Sequence, residues 1–151
     1  MVSKERSSGF TLVETMVVVL ILAVLVAIAV PSYLGFRNQS NDSKAKLHLN
    51  QTAKAEMGLY VQDGVYTTNA ATLSAMIADL DIGGPAEDSI KVVLGDVVPG
   101  DASQVLVYVR SRSDTWFGLR LVAVGADTGL HTCSGSLEAD MTLALCSGTD
   151  W

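Results

Sequence analysis

The hydropathy pattern divides the chain into an apolar stretch, an amphipathic stretch and a mixed remainder. From Thr15 to Phe36 no charged side chain occurs, and apolar residues fill most positions. As a helix rising about 1.5 Å per residue, that stretch covers roughly 33 Å, enough to cross the hydrocarbon core of a bilayer. Beyond Arg37 the pattern turns amphipathic: Leu49, Ala53, Met57 and Tyr60 recur at spacings of three and four, leaving Asp42, Lys46, Gln51 and Lys54 for water. Asp63-Gly64 supplies a stop. The spacing predicts one helix from Phe10 to Gln62, bent near Pro31, where the ring removes a backbone donor.

After a polar connection through Tyr66-Thr67-Thr68-Asn69, Leu73, Met76, Ile77 and Leu80 mark one side of a short helix over Ala71 to Leu80, ended by Gly83-Gly84-Pro85. β-Branched and aromatic content then rises, predicting strands over Ile90–Val98, Gln104–Ser111, Thr115–Val124 and Leu130–Cys133. Turn chemistry separates them at Val97-Val98-Pro99-Gly100-Asp101 and Gly125-Ala126-Asp127-Thr128-Gly129. Burial fixes one register: pairing Ser111 with Thr115 across Arg112-Ser113-Asp114 puts Val105, Val107 and Val109 on the face of Phe117, Leu119 and Leu121. A remainder this small needs another element's apolar face to complete its core. The expected fold class is therefore α+β, a long N-terminal helix packed on an antiparallel sheet.

Charge changes the picture at two places. The chain carries a formal net charge of −6, and from Gln62 onward Lys91, Arg110, Arg112 and Arg120 stand against twelve carboxylates. Such a head does not attract nucleic acid over its whole surface, so binding DNA would need a local basic patch. The second place is Glu14, beside the apolar run. An ionised side chain at a membrane helix centre costs about 2.5–3.5 kcal/mol on insertion scales, so Glu14 predicts a partner cation supplied by assembly.

Gly9-Phe10-Thr11-Leu12-Val13-Glu14 ahead of an apolar helix resembles the prepilin signature of type IV pilins and of their relatives, the pseudopilins of type II secretion and competence systems. The resemblance implies cleavage after Gly9 by a prepilin peptidase, N-methylation of Phe10, and pairing of Glu14 with the terminal amine of a neighbouring copy. Pro31 falls at the family's position for a helix-kinking proline, whereas Ala23 stands where members often carry glycine. Two other readings compete: a secretory signal peptide cut near Ala27-Ile28-Ala29, and a plain anchor for a surface binding domain. Glu14 argues against the first and the Gly9–Glu14 run against the second.

The implied organisation is a leader at 1–9, a transmembrane and assembly helix at 10–36, and a periplasmic or extracellular head at 37–151. Within the head, 37–62 continues the helix, 63–89 connects, 90–133 forms the sheet and 133–146 a disulfide loop. Cys133 and Cys146 are the only cysteines; pairing them contributes roughly 3 kcal/mol in the chain-entropy model and suits an exported head. A C-terminal disulfide also resembles pilins more than major pseudopilins.

Catalytic motifs are absent, and no cofactor or metal is expected. His131-x-Cys133 is too little for a metal site. Asp79 and Asp81 with Glu87 and Asp88 read as a solvated acidic loop before a calcium site. The sequons beginning at Asn38, Asn41 and Asn50 fall in expected helix. Arg110, Arg112 and Arg120 around Trp116 form a possible ligand patch, with Arg110 across from the indole as a cation over a ring. The resulting expectation is a non-enzymatic pilus subunit, with a secretion or competence pseudopilin as alternative. Its partners are other copies in a helical filament, the prepilin peptidase, the inner-membrane assembly machinery and, before assembly, membrane lipid; DNA depends on the patch. The expected location is the inner membrane as precursor, then the cell-surface filament.

Overall fold

A computed structural model of the chain describes residues 10–77, 80–86, 88–95, 102–148 and 151. The leader through Gly9, Asp79 and Glu87 of the acidic loop, and the expected turn over 97–101 lie outside the described residues. The chain forms two compact units, Met1–Arg37 and Asn38–Trp151.

Helix α1 spans Leu12–Asp63 and contains Pro31. Thr11 caps it: its Oγ1 accepts the Glu14 N–H at 3.2 Å, satisfying a donor that the first turn leaves free. Gly64, at φ +76°, ends it by donating its N–H to the Tyr60 carbonyl at 2.9 Å, a left-handed closure that glycine adopts without strain. The buried face in the second unit is Ala45, Leu49, Thr52, Ala53, Glu56 and Leu59. This corrects the expected stripe. Met57 is 39% exposed, and the core takes in Glu56 instead. Asp42 and Lys46 do not simply face water either, as described below.

Helix α2 is shorter than expected, Ala70–Met76, because Ile77 adopts extended backbone and donates its N–H back to Leu73. Its start lies at Asn69, whose side chain accepts the N–H groups of Ala71 and Thr72 at 3.0 and 3.3 Å.

The sheet is antiparallel with strand order β1-β2-β3-β4: β1 Lys91–Gly95, β2 Gln104–Arg110, β3 Trp116–Val122 and β4 Gly129–Gly135. The fourth strand outruns the expected Leu130–Cys133 because its pairing with β3 continues to Trp116 opposite Gly135. The β2–β3 register is the expected one, with Val105 opposite Leu121, Val107 opposite Leu119 and Val109 opposite Phe117. All six are buried, and they form the core with Leu49, Ala53, Leu59 and Leu73. The Ser111 N–H donates to the Thr115 carbonyl at 2.8 Å and closes the hairpin, while Asp114 takes the left-handed position at φ 68°. On the other face, Cys133 and Cys146 form a disulfide with Cα atoms 4.7 Å apart.

Candidate assembly site

In the first unit the apolar side chains of α1 are solvent-facing along its whole length. Phe10 is 75% exposed, Ile28 69% and Phe36 71%, and by length and composition the helix suffices to cross a membrane. Soluble monomers rarely leave a contiguous apolar surface so large, so lipid or other protein must cover it. Glu14 is exposed on this surface. Side-chain hydroxyls bond backward to the helix here: Thr15 Oγ1 donates to the Thr11 carbonyl and Ser32 Oγ to the Ile28 carbonyl, both at 3.4 Å. Pro31 has no N–H for the carbonyl of Ala27, which loses its helical donor.

In the head, Arg120 separates from the other three residues of the expected patch. Arg110 lies directly across from Trp116, whose ring centroid is 6.0 Å from that of Tyr108. The Arg110 guanidinium pairs with Asp114 at 3.0 Å. Arg112 pairs with Asp88 at 3.2 Å. Arg120 lies four positions from Trp116 along β3, about 13 Å at strand rise, and donates its Nε–H to Gln104 Oε1 at 3.0 Å. The cation over aromatic rings is Lys46, with Nζ 4.9 Å from the Phe117 centroid and 5.5 Å from that of Trp151.

Two groups on this side of the head escaped the sequence reading. Asp42 Oδ1 accepts the Ser111 hydroxyl at 2.6 Å and the Ser113 hydroxyl as well, tying the hairpin loop to α1. Lys44 and His48 join Arg110, Arg112 and Asp88 around a cavity of about 190 Å³. No sequence signal marks them, because the crossing of α1 over the hairpin brings them together. His131 holds the Asp127 carbonyl at 2.8 Å, and Cys133 is committed to its disulfide. No three His, Cys, Asp or Glu residues gather as metal ligands among the described residues.

The described residues thus join, in sequence, an exposed apolar helix bearing Glu14 to an α+β head with a C-terminal disulfide. The family model for the prokaryotic N-terminal methylation motif matches residues 5–30. Over 113 residues the chain is 33% identical to the type IV wide pilus major component PilA4 of Thermus thermophilus, covering 75% of this chain and 81% of the relative. It is 37% identical over 62 residues to the type IV major pilin protein PilA of Myxococcus xanthus, covering 41% of this chain and 28% of that protein. A type II secretion system core protein G of Aeromonas hydrophila is 32% identical over 74 residues, with 49% and 52% covered. The chain belongs to the type IV pilin family. Pilus subunits among its relatives support the pilin reading better than the secretion proteins do.

Proposed function

We propose that this chain is a structural, non-enzymatic subunit of a type IV pilus. It is cut by prepilin peptidase between Gly9 and Phe10, methylated on Phe10, held in the inner membrane through residues 10–36, passed to the assembly machinery and polymerised with other copies into a surface filament. The observation that carries the reading is the exposed apolar surface of the first unit, with Glu14 as the one carboxylate among its described residues. In lipid that surface is covered at the cost of Glu14; in a filament, a neighbour's terminal amine offsets the carboxylate. Pro31 provides the bend that lets the helix follow its neighbours. The relative named core protein G keeps a secretion pseudopilin as the second reading, and the disulfide favours the first.

Intact-mass analysis of filament subunits tests the processing. The expected mass is that of a chain beginning at Phe10 with one added methyl group; a chain beginning at Val30 would establish signal-peptide cleavage and remove the assembly helix.

The ligand patch contracts to Arg110, Arg112 and Trp116. Arg112 and Asp88 keep side-chain exposures of 77% and 52%, and such exposed pairs yield readily to a competing anion. Filaments carrying Arg110→Ala and Arg112→Ala are expected to lose several-fold in DNA retention, with a smaller salt dependence than unmodified filaments. Equal retention would reduce the patch to solvated surface.

A further inference from the structure

Helix α1 carries one acidic side chain into the core of the head. Glu56 is fully buried, a state that glutamate almost never adopts unpaired. Its Oε2 accepts the Thr67 N–H at 3.1 Å, and its Oε1 has no hydrogen-bond partner among the described residues. The Thr67 bond folds the connection 64–69 back against the helix. Two further contacts hold the same segment: the Tyr66 ring lies 4.7 Å from that of Tyr60, and the Tyr66 N–H donates to the Ala102 carbonyl at 3.2 Å.

Among the described residues, the surroundings supply no countercharge. The inner sheet face presents Val105, Val107, Val109, Phe117, Leu119 and Leu121, and α2 has no titratable side chain. Among the described residues Tyr60 from α1 and Tyr66 from the connection are the titratable neighbours, and burial first, then the charges of Tyr60 and Glu56, push the Tyr66 hydroxyl up. An ionised Glu56 therefore has, among the described residues, one amide to stabilise it and no cation. Water is the remaining source of stabilisation, and the connection is the thinnest cover: Val65 is 43% exposed, as are Gly64, Thr68 and Asn69 in large part.

We infer that Glu56 makes the connection 64–69 a proton-operated latch, held against α1 while the carboxyl is neutral and released when it ionises. Burial pushes the carboxyl from its ordinary 4.5 up to about 7, with the Thr67 amide opposing in part. Because the folded-state value lies above the unfolded one, the closed state is favoured at acid pH and loses that advantage as pH climbs from 4.5 through about 7. The device acts within one head, so it holds whether or not the chain assembles.

The test uses the full chain in detergent micelles. Carbon-detected titration of the Glu56 carboxyl and amide-exchange protection at Tyr66 and Thr67 are followed from about pH 5 to 9. The carboxyl is expected to titrate near neutrality, and protection of the two amides to fall up to about tenfold per pH unit as pH climbs from the ordinary 4.5 to about 7 and to level off above it, while amides of β2 and β3 stay unchanged. Glu56→Gln is expected to remove this pH dependence. A carboxyl titrating near the ordinary 4.5, or equal loss of protection in the Gln variant, overturns the latch. If the Gln variant does not fold, the carboxyl titration and amide protection of the unmodified chain decide alone.

Discussion

Glu14→Ala is expected to leave the chain fully inserted in the membrane and to lower its recovery in filaments roughly a hundredfold, the scale of removing one partner from a buried ion pair. The two environments pull in opposite directions. In lipid the carboxylate is a cost, so alanine makes insertion easier. In a filament the surrounding side chains are those of the exposed apolar surface, among them Val13, Val17 and Val18, and a terminal amine buried there without a carboxylate is the more expensive state. The measurement is a pair of yields from the same cells, membrane-fraction subunit and sheared filament. Glu14→Gln separates charge from size, since it keeps the volume and should fail almost as badly. Normal filament yield with unchanged membrane levels in the Ala variant would show that assembly does not use the carboxylate.

Much of this architecture was legible because period and burial agree in it. The apolar run announces the first half of α1, Asp63-Gly64 its end, and alternating valines the one β2–β3 register that keeps the core dry. The failures share a cause. A pattern of apolar and polar positions gives charged residues to water, so it leaves the buried Glu56 unmarked and places Asp42 and Lys46 in water. Each is retained by a partner from elsewhere in the chain: the Thr67 amide, the Ser111 and Ser113 hydroxyls, and the Phe117 and Trp151 rings. Helix α2 was drawn too long because Ile77 fits the apolar face of a helix while its backbone has already become extended. Glu14 was legible for the reason Glu56 was not. A lone carboxylate beside an unbroken apolar run stands out, and one among mixed residues does not.

The same limit hides the role of Gly118, which reads as an ordinary weak point in a strand and sits instead beneath the disulfide. It pairs directly with Cys133 across β3 and β4, and a Cβ built on it would lie 2.6 Å from Cys133 Sγ and 3.1 Å from Met141 Sδ. The sulfur has little freedom to retreat. Cys146 is fully buried, Thr132 and Gly148 exchange backbone hydrogen bonds at 2.7 and 3.0 Å, and Trp151 Nε1–H donates to the Cys133 carbonyl at 3.0 Å. Gly118→Val is therefore expected to destabilise the head by about 1–3 kcal/mol, the range of overpacking a tight core, and to lower its melting temperature by roughly 5–15 °C. A double-mutant cycle identifies the cause. Replacing Cys133 and Cys146 by alanine should itself cost about 3 kcal/mol in the chain-entropy model, but the added cost of Gly118→Val in that background should shrink, because the sulfur it meets is gone. Thermal unfolding of the four proteins in detergent measures the cycle. An unchanged melting temperature for Gly118→Val, or an equal cost with and without the cysteines, would show that the strand yields elsewhere and that the disulfide does not require a glycine beneath it.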